Sequence, residues 1–560
     1  MNNLVYLLLR RLRAPLIVLI CIYAVSILGF VLIPGVDDQG QPWRMDFFHA
    51  FYFVSFMGTT IGFGEIPYAF TDAQRMWAIV AIYATVIAWL YGIGSMLGII
   101  QDRAFRKLIK EAVFNRGIRR LSEPFYLVCG YGDTGGLLVK ALSDAGIRAV
   151  VIDIDENRID ALELEDMGVD VPGICADAAD PDALTKAGLC NRHCIGIAIL
   201  TNDDHVNLTA AIASTLLNPA LRVIARAETR EAEENIASLG EIRIINPFET
   251  FAGHLAMALH APGMYLLFEW LTGVPHERLH EPVFPPRGTW VLCGYGRFGK
   301  EVYQRLTAEG IEVKIIEADF GSTQPPKDAI AGTGTDAATL RRAGIDRAVG
   351  IVAGTDNDAN NLSIIITAKA INPAVFSVAR QNLRFNNQLF DAAGLGLVMK
   401  RGSVIAHKIF ALITTPLLNR FLNLAIQQSN NWANKIASRI GGVIEDEAPQ
   451  MWGMNITEEA TPGVAQLLTA GETIRLAGLC HNPRLREERL PCVPLLLSRG
   501  MENILVPDDD FCLRLGDRIL FCGQESASHE MQWIGDNPDV LRYIRTGEEH
   551  PSTILGRLLS

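Results

Sequence analysis

The run Phe125-Tyr126-Leu127-Val128-Cys129-Gly130-Tyr131-Gly132-Asp133-Thr134-Gly135 returns 164 residues later as Thr289-Trp290-Val291-Leu292-Cys293-Gly294-Tyr295-Gly296-Arg297-Phe298-Gly299. In both places an apolar strand-like run breaks into Gly-x-Gly-x-x-Gly. An amphipathic stretch follows, and then a second apolar run at 148–153 and 312–317, still 164 apart. Farther on, Asn207 pairs with Asn361, Arg226 with Arg380 and Pro262 with Pro416, all at an offset of 154. The second copy is therefore about ten residues shorter somewhere after its second strand. A match maintained over so long a stretch is a duplication. Strand, glycine turn, helix and strand, continued by further strand–helix pairs, call for a doubly wound parallel sheet in each copy. Helical stretches near 249–272 and 403–427 follow, around the matched prolines. A last module at about 450–540 has short alternating runs between turn residues and reads as a small β-rich lobe.

The glycine turns carry chemistry. Gly130, Gly132 and Gly135, and likewise Gly294, Gly296 and Gly299, allow a pyrophosphate to approach the N-terminus of the next helix. An acid follows 23 residues after each first glycine: Asp153 and Glu317. Acids there are placed for ribose hydroxyls and disfavour a 2′-phosphate, so NAD, ADP or AMP is expected rather than NADP. The turns differ in charge. Asp133, beside Thr134, repels phosphate, whereas Arg297, beside Phe298, attracts it, so the second copy reads as the stronger nucleotide site. Across each cleft, aligning Gly188 with Gly344 sets Asp177, suited to an adenine amine, opposite Thr333. The plainer reading is that one or both turns are structural remnants. No acid–base or nucleophile constellation stands near either turn. An NAD-dependent enzyme is thus a remote alternative, and the expectation is that the chain is not an enzyme.

The first hundred residues differ in kind. The chain is 49% hydrophobic with mean hydropathy +0.20, and the excess lies at the front. Residues 14–36 and 76–101 are free of charge, and each is long enough to cross a hydrocarbon core of about 30 Å. Between them lies an uncharged stretch, 47–58, too short to span, and then Thr59-Thr60-Ile61-Gly62-Phe63-Gly64-Glu65. In Thr60, Ile61, Gly62, Phe63 and Gly64 the alternating glycines let successive carbonyls point one way, against angles that side chains oppose. Four copies around an axis would stack oxygen rings able to replace the hydration shell of K+. Arginines at 10, 11 and 13 and cations at 103, 106, 107 and 110 flank the two spans, while the loop between is acidic. Both termini are therefore expected in the cytoplasm. Residues 1–110 carry a net charge of +3 within a chain of −12, leaving −15 for the rest, which argues against a nucleic-acid partner. The first span is too long for a signal peptide, and a second follows it. Ten scattered cysteines without a CxxC fit a reducing compartment.

A two-span pore with that heptamer, followed by tandem Rossmann-like domains and a small C-terminal lobe, resembles the prokaryotic K+ channels gated by RCK (KTN) domains. The tandem layout is similar to the gating ring of BK-type channels, without voltage-sensor helices. The resemblance implies an all-α pore domain, two α/β RCK domains and an α+β RCK-C lobe. The expected boundaries are 1–110 for the pore (spans 14–36 and 76–101, pore helix 47–58, filter 59–65), 111–284 and 285–445 for the RCK domains, and 446–560 for the lobe and tail. It further implies a homotetramer in a prokaryotic inner membrane, passing K+ and opened or closed by NAD, ADP or Ca2+ at a ring of eight RCK domains. A weakly selective cation channel gated in the same way is the alternative. Phe63 stands where the family usually has Tyr, losing a hydroxyl that braces the filter. Gly92, Gly94 and Gly98, with Leu97, make the second span unusually glycine-rich and mark a hinge or gate; close helix packing is the other reading. His276, Glu277, His280 and Glu281 at the domain junction, and Glu228 with Glu231, Glu233 and Glu234, are candidate divalent-ion ligands, although a solvated linker is the plainer reading. Cys190, His193 and Cys194 are a weaker metal candidate.

Overall fold

The computed structural model describes residues 2–273, 279 and 283–548. It divides into two compact units, residues 1–120 and 121–560. In the first unit, α1 (Asn2–Leu32) is followed by a short antiparallel pair, β1 (Pro34–Val36) and β2 (Pro42–Arg44). Then come α2 (Phe47–Gly58), α3 (Asp72–Gln101) and α4 (Arg103–Arg120). The first helix is displaced from the span read at 14–36. It begins earlier, because the arginines at 10, 11 and 13 are good helix formers, and it ends at Leu32, because residues 34–36 pair with 42–44. Leu12–Leu32 and Asp72–Gln101 are long and apolar enough to cross a membrane, and most of each is exposed, unlike the core helix of a soluble domain. Asp46 caps α2 through His49 N, worth about 1 kcal/mol. Phe30, Phe53 and Phe70 pack edge to face and tilted around it, with centroids 4.8–5.8 Å apart.

The second unit holds the duplication. The first copy runs β3 (Phe125–Cys129), α5 (Asp133–Asp144), β4 (Arg148–Asp153), α6 (Glu156–Leu164), β5 (Gly173–Cys175), α7 (Pro181–Lys186), β6 (Cys194–Ile199), α8 (Asp204–Leu217), β7 (Arg222–Arg226), α9 (Arg230–Ala237) and β8 (Arg243–Ile245). It ends in the helix pair α10 (Pro247–His260) and α11 (Pro262–Thr272). The second runs β9 (Trp290–Cys293), α12 (Arg297–Ala308), β10 (Val313–Glu317), α13 (Phe320–Thr323), β11 (Ile330–Ala331), α14 (Ala337–Arg342), β12 (Gly350–Ala353), α15 (Asp358–Ile371), β13 (Phe376–Gln381), α16 (Asn387–Ala392) and β14 (Leu397–Lys400). Its closing pair is α17 (Arg401–Thr414) and α18 (Pro416–Ala425). Both sheets are parallel and six-stranded, with the same order: β5-β4-β3-β6-β7-β8 and β11-β10-β9-β12-β13-β14. Most of the shortening falls between β10 and β11, where nine-residue α6 is replaced by four-residue α13.

Helix α19 (Asn430–Gly441) leads to a lobe of β15 (Gln450–Asn455), α20 (Pro462–Thr469), β16 (Cys492–Arg499), β17 (Glu502–Leu505), β18 (Arg518–Gly523), α21 (Glu525–Asp536) and α22 (Pro538–Thr546). Its sheet is antiparallel, in the order β15-β18-β16-β17.

The two copies exchange their closing helices. α10 of the first packs on α12 of the second, and α17 of the second packs on α5 of the first. Those are repeat-equivalent contacts, so the copies face each other reciprocally. Lys408 Nζ on α17 reaches Thr250 Oγ1 on α10 at 3.4 Å. His254 on α10 also faces Lys408, its equivalent at the 154 offset, and its ring lies 4.6 Å from that of Phe268.

Candidate functional site

In the loop after α2, Thr60, Gly62 and Gly64 have φ of +63°, +65° and +101°. Left-handed backbone at every second residue turns successive carbonyls toward one side. Glycine takes that conformation freely, whereas a β-branched threonine does so at a cost, as at functional sites elsewhere. Two bonds to α2 hold the start of the loop: Thr60 N to Met57 O, 3.1 Å, and Ile61 N to Phe56 O, 3.0 Å. Phe63 meets Phe56 edge to face at 5.5 Å, an apolar brace where the hydroxyl is missing. Glu65 closes the loop. It accepts from Arg75 Nε at 2.9 Å and from Phe70 N at 2.8 Å. Ile61 and Phe63 are still 60% and 67% exposed, as a surface awaiting neighbours would be.

Helix α3 runs unbroken through Gly92, Gly94, Leu97 and Gly98. A Cβ at any of these three glycines would meet nothing within 4 Å in the same chain, so packing inside the subunit does not explain them. The helical hydrogen bonding is interrupted instead at Asp102, between α3 and α4.

The first glycine turn is built as the sequence requires. Gly130 has φ +99°, and a Cβ at Gly135 would lie 1.8 Å from Gly130 O, so α5 sits against the turn as only glycine permits. Asp153 is buried and holds the turn from below. It accepts from Tyr131 N at 2.5 Å and from Asp155 N at 2.8 Å. The Tyr131 hydroxyl donates to Glu165 at 3.0 Å, and burial together with that carboxylate pushes its pKa upward. Over the turn lies a cavity of about 1040 Å³, the size of a cofactor site. Its walls combine Asp133, Arg158 and Asp177 with residues of the other copy: Gln381, Arg384, Lys400 and His407. Arg158 stands 3.4 Å from Asp153 Oδ2, beside Gly132. Gln381 lends its Nε2 to Leu383 O and Asn387 Oδ1, while its buried Oε1 has no hydrogen-bond partner among the described residues.

The second turn has the same backbone. Gly294 has φ +93°, a Cβ at Gly299 would lie 2.0 Å from Gly294 O, and buried Glu317 accepts from Tyr295 N and, at 2.7 Å, from Asp319 N. What covers it differs. Arg297 Nη1 is 2.9 Å from Glu228 Oε2 of the first copy, and Glu228 also pairs closely with Arg226. Phe248, also of the first copy, is fully buried between two guanidinium groups, Arg297 at 5.7 Å and Arg380 at 5.0 Å from its ring centre.

The ion-channel family matches residues 17–102, and the TrkA-N domain family matches residues 126–247 and 290–400. The chain joins an ion-channel domain to two TrkA-N domains. Potassium channel protein 1 of Methanocaldococcus jannaschii is 28% identical over 205 residues, covering 36% of this chain and 59% of that protein. The Trk system potassium uptake protein TrkA homolog of Pyrococcus horikoshii is 29% identical over 142 residues, covering 24% and 62%. The chain thus matches less than two thirds of the length of either relative. Among solved structures, the GsuK channel aligns over 95% of this chain and 99% of its own at 16% identity and a TM-score of 0.49. GsuK bound to NAD aligns over 95% and 99% at 15% and 0.46.

Within the TrkA-N domains, the structure brings Gly130, Gly132, Asp133, Thr134, Asp153 and Asp177 around one cleft, with Thr134 largely buried at the start of α5. Asp177 and Thr333 hold equivalent places: the preceding residue in each donates to the carbonyl of Asp153 (2.9 Å) or Glu317 (3.0 Å). In the second TrkA-N domain the structure adds partners from the first. Arg297 is engaged by Glu228 across the domain interface, and Phe298 is a core residue against Phe248 and Phe251. The acidic group at 228–234 does not converge. Glu228 serves arginines, Glu233 accepts from Asn246 and Glu234 pairs with Arg230, and no metal-holding group of three exists among the described residues. Cys190 is exposed and Cys194 is buried. His276, Glu277, His280 and Glu281 lie outside the described residues. The cleft residues contributed by the opposite domain were missed. The signal was present in the repeat itself, where equivalent positions 248 and 402 hold Phe and Gly.

Proposed function

We propose that the chain is one subunit of a homotetrameric, potassium-selective channel in a prokaryotic inner membrane, with both termini and the TrkA-N domains in the cytoplasm. Its opening is set by an adenine nucleotide such as NAD or ADP in the first TrkA-N cleft. The alternating left-handed backbone at Thr60, Gly62 and Gly64 carries the reading. With two exposed apolar spans around it, that backbone supports four carbonyl-bearing loops meeting on one axis and replacing the water around K+. The side chains of Ile61 and Phe63 are exposed in one subunit and would be covered by its neighbours. Eight TrkA-N domains would then form a ring, and a ligand shifts that ring only by its unequal affinity for the open and closed forms. The open first cleft, with its cations, its buried acid and the buried Gln381 oxygen, supports the nucleotide. Glycines 92, 94 and 98 remain the proposed bending zone of the inner helix. Ca2+ is kept as a ligand to be tested.

Reversal potentials of the reconstituted chain under opposed K+ and Na+ gradients test selectivity. The expected value lies near the K+ equilibrium potential, and a value for equal permeability overturns it in favour of a weakly selective cation pore. Excised patches exposed on the inner face to NAD, ADP and Ca2+ in turn test gating; open probability indifferent to both nucleotides rejects the ligand.

A further inference from the structure

A second cavity, of about 680 Å³, opens far from either glycine turn, where three parts of the cytoplasmic unit meet. Its walls come from β8 of the first TrkA-N domain, the turn between α17 and α18 of the second, and β15 and β18 of the C-terminal lobe. Its charged lining residues are Arg243, Arg420 and Arg518. Asn419, Asn423 and Asn455 add amides, and no carboxylate lines it among the described residues. Arg420 is fixed by hydrogen bonds to Ser498 Oγ at 2.9 Å and Asn503 Oδ1 at 3.4 Å. Arg243 and Arg518 are exposed and form no ion pair among the described residues. Three cations around one hollow repel each other. They do so in a portion of the chain whose net charge is −15, where a carboxylate would be the ordinary neighbour.

The first TrkA-N domain shows what this place looks like when it is filled. At the equivalent helix turn, Gly263 N donates to Asn430 Oδ1 of α19 at 2.8 Å, and the residues matching Arg420 and Asn423 are Leu266 and Glu269. At the α18 turn, no side chain caps the first turn of the helix. The second copy has Arg and Asn where the first has Leu and Glu, and the space beside them is open.

We propose that this cavity binds a phosphate-bearing anion, gripped by Arg243, Arg420 and Arg518 with the asparagine amides as further donors. Guanidinium forks match phosphate oxygens in pairs. Occupancy would tie the C-terminal lobe to both TrkA-N domains. Inorganic pyrophosphate is the probe, titrated calorimetrically into the full chain in detergent. The R243Q/R518Q double variant should bind at least tenfold more weakly, the R243K/R518K variant should recover most of the affinity, and R158Q, in the first cleft, should leave this binding in place. Wild-type affinity in R243Q/R518Q overturns the proposal, as does complete loss in R158Q, which would put the anion over the first glycine turn. Removing like charges should not lower the unfolding midpoint of ligand-free R243Q/R518Q. A lower midpoint, with no recovery of binding in the lysine variant, makes the arginines structural and also overturns it. Competition separates the sources of the phosphate: displacement by tripolyphosphate assigns a soluble ligand, displacement by short-chain phosphatidylglycerol a lipid headgroup.

Discussion

The two TrkA-N clefts have the same strand order, the same left-handed first glycine and the same buried acid under the turn, yet each is flanked by a different residue of the other domain. The difference comes from outside each Rossmann fold. Position 402 of the second domain lies over the first turn and is Gly; a Cβ there would already be 3.0 Å from Asp133 Cβ. Position 248 of the first domain lies over the second turn and is Phe, wedged among Arg297, Phe298 and Arg380. A glycine motif thus specifies a backbone shaped for phosphate but leaves open whether a ligand can reach it. The other domain supplies part of each wall, and it supplies different residues on the two sides.

Removing the Phe248 ring should have the largest effect. Phe248→Ala removes a fully buried ring, which costs about 3–5 kcal/mol and should lower the unfolding midpoint of the solubilised chain by several degrees. The same variant should widen the second cleft and let additional nucleotide bind in equilibrium dialysis; unchanged nucleotide uptake would show that the ring does not restrict it. The converse change, Gly402→Phe, copies the ring onto the first cleft. Nucleotide affinity should fall at least a hundredfold, about 2.7 kcal/mol, and binding at wild-type strength would place the ligand elsewhere. The third effect is a pH dependence at the interface. Burial, and then the charge of Lys408, lower the His254 pKa to about 4. The folded chain keeps this imidazole neutral while the unfolded chain protonates it near 6.5, so the stabilisation is complete above that value and is lost as pH falls from 6.5 toward 4. The loss is about 3 kcal/mol. His254→Leu should flatten this stretch of the stability profile, and a profile identical to wild type would mean that the acid sensitivity lies elsewhere.

The strands and glycine turns could be read from the sequence because their physics is local. Apolar runs mark buried parallel strands, and a left-handed turn against a helix admits little but glycine. The helix at 47–58 was legible as a short uncharged stretch ahead of a glycine-rich loop, whereas its cap by Asp46 emerged only in the structure. The pairing of Arg297 with Glu228 was not legible, because the two residues belong to different domains and each looks solvated in its own segment. Phe298 could not be told from a cleft residue by spacing, since the same helical turn presents one side to the ligand and the other to α10. The basic cavity was invisible because Arg243, Arg420 and Arg518 are far apart in sequence and each is unremarkable by itself.

The smallest effect bears on the charge difference between the turns. Asp133 stands at the first position of α5, where its carboxylate favours the helix dipole by about 0.3–1 kcal/mol but opposes a phosphate bound over the same amides. Asp133→Asn should therefore move two quantities in opposite directions. Stability should fall by a few tenths of a kcal/mol, while nucleotide affinity should rise about two- to fivefold, equivalent to roughly 0.4–1 kcal/mol. Added salt should shrink that gain, because the wall is open to solvent. If affinity instead fell along with stability, Asp133 would be a contact for the ligand, its repulsion of phosphate outweighed by a bond to a hydroxyl or an amine. The first cleft would then recognise its ligand through an acid at the turn, where the second has an arginine bound to Glu228.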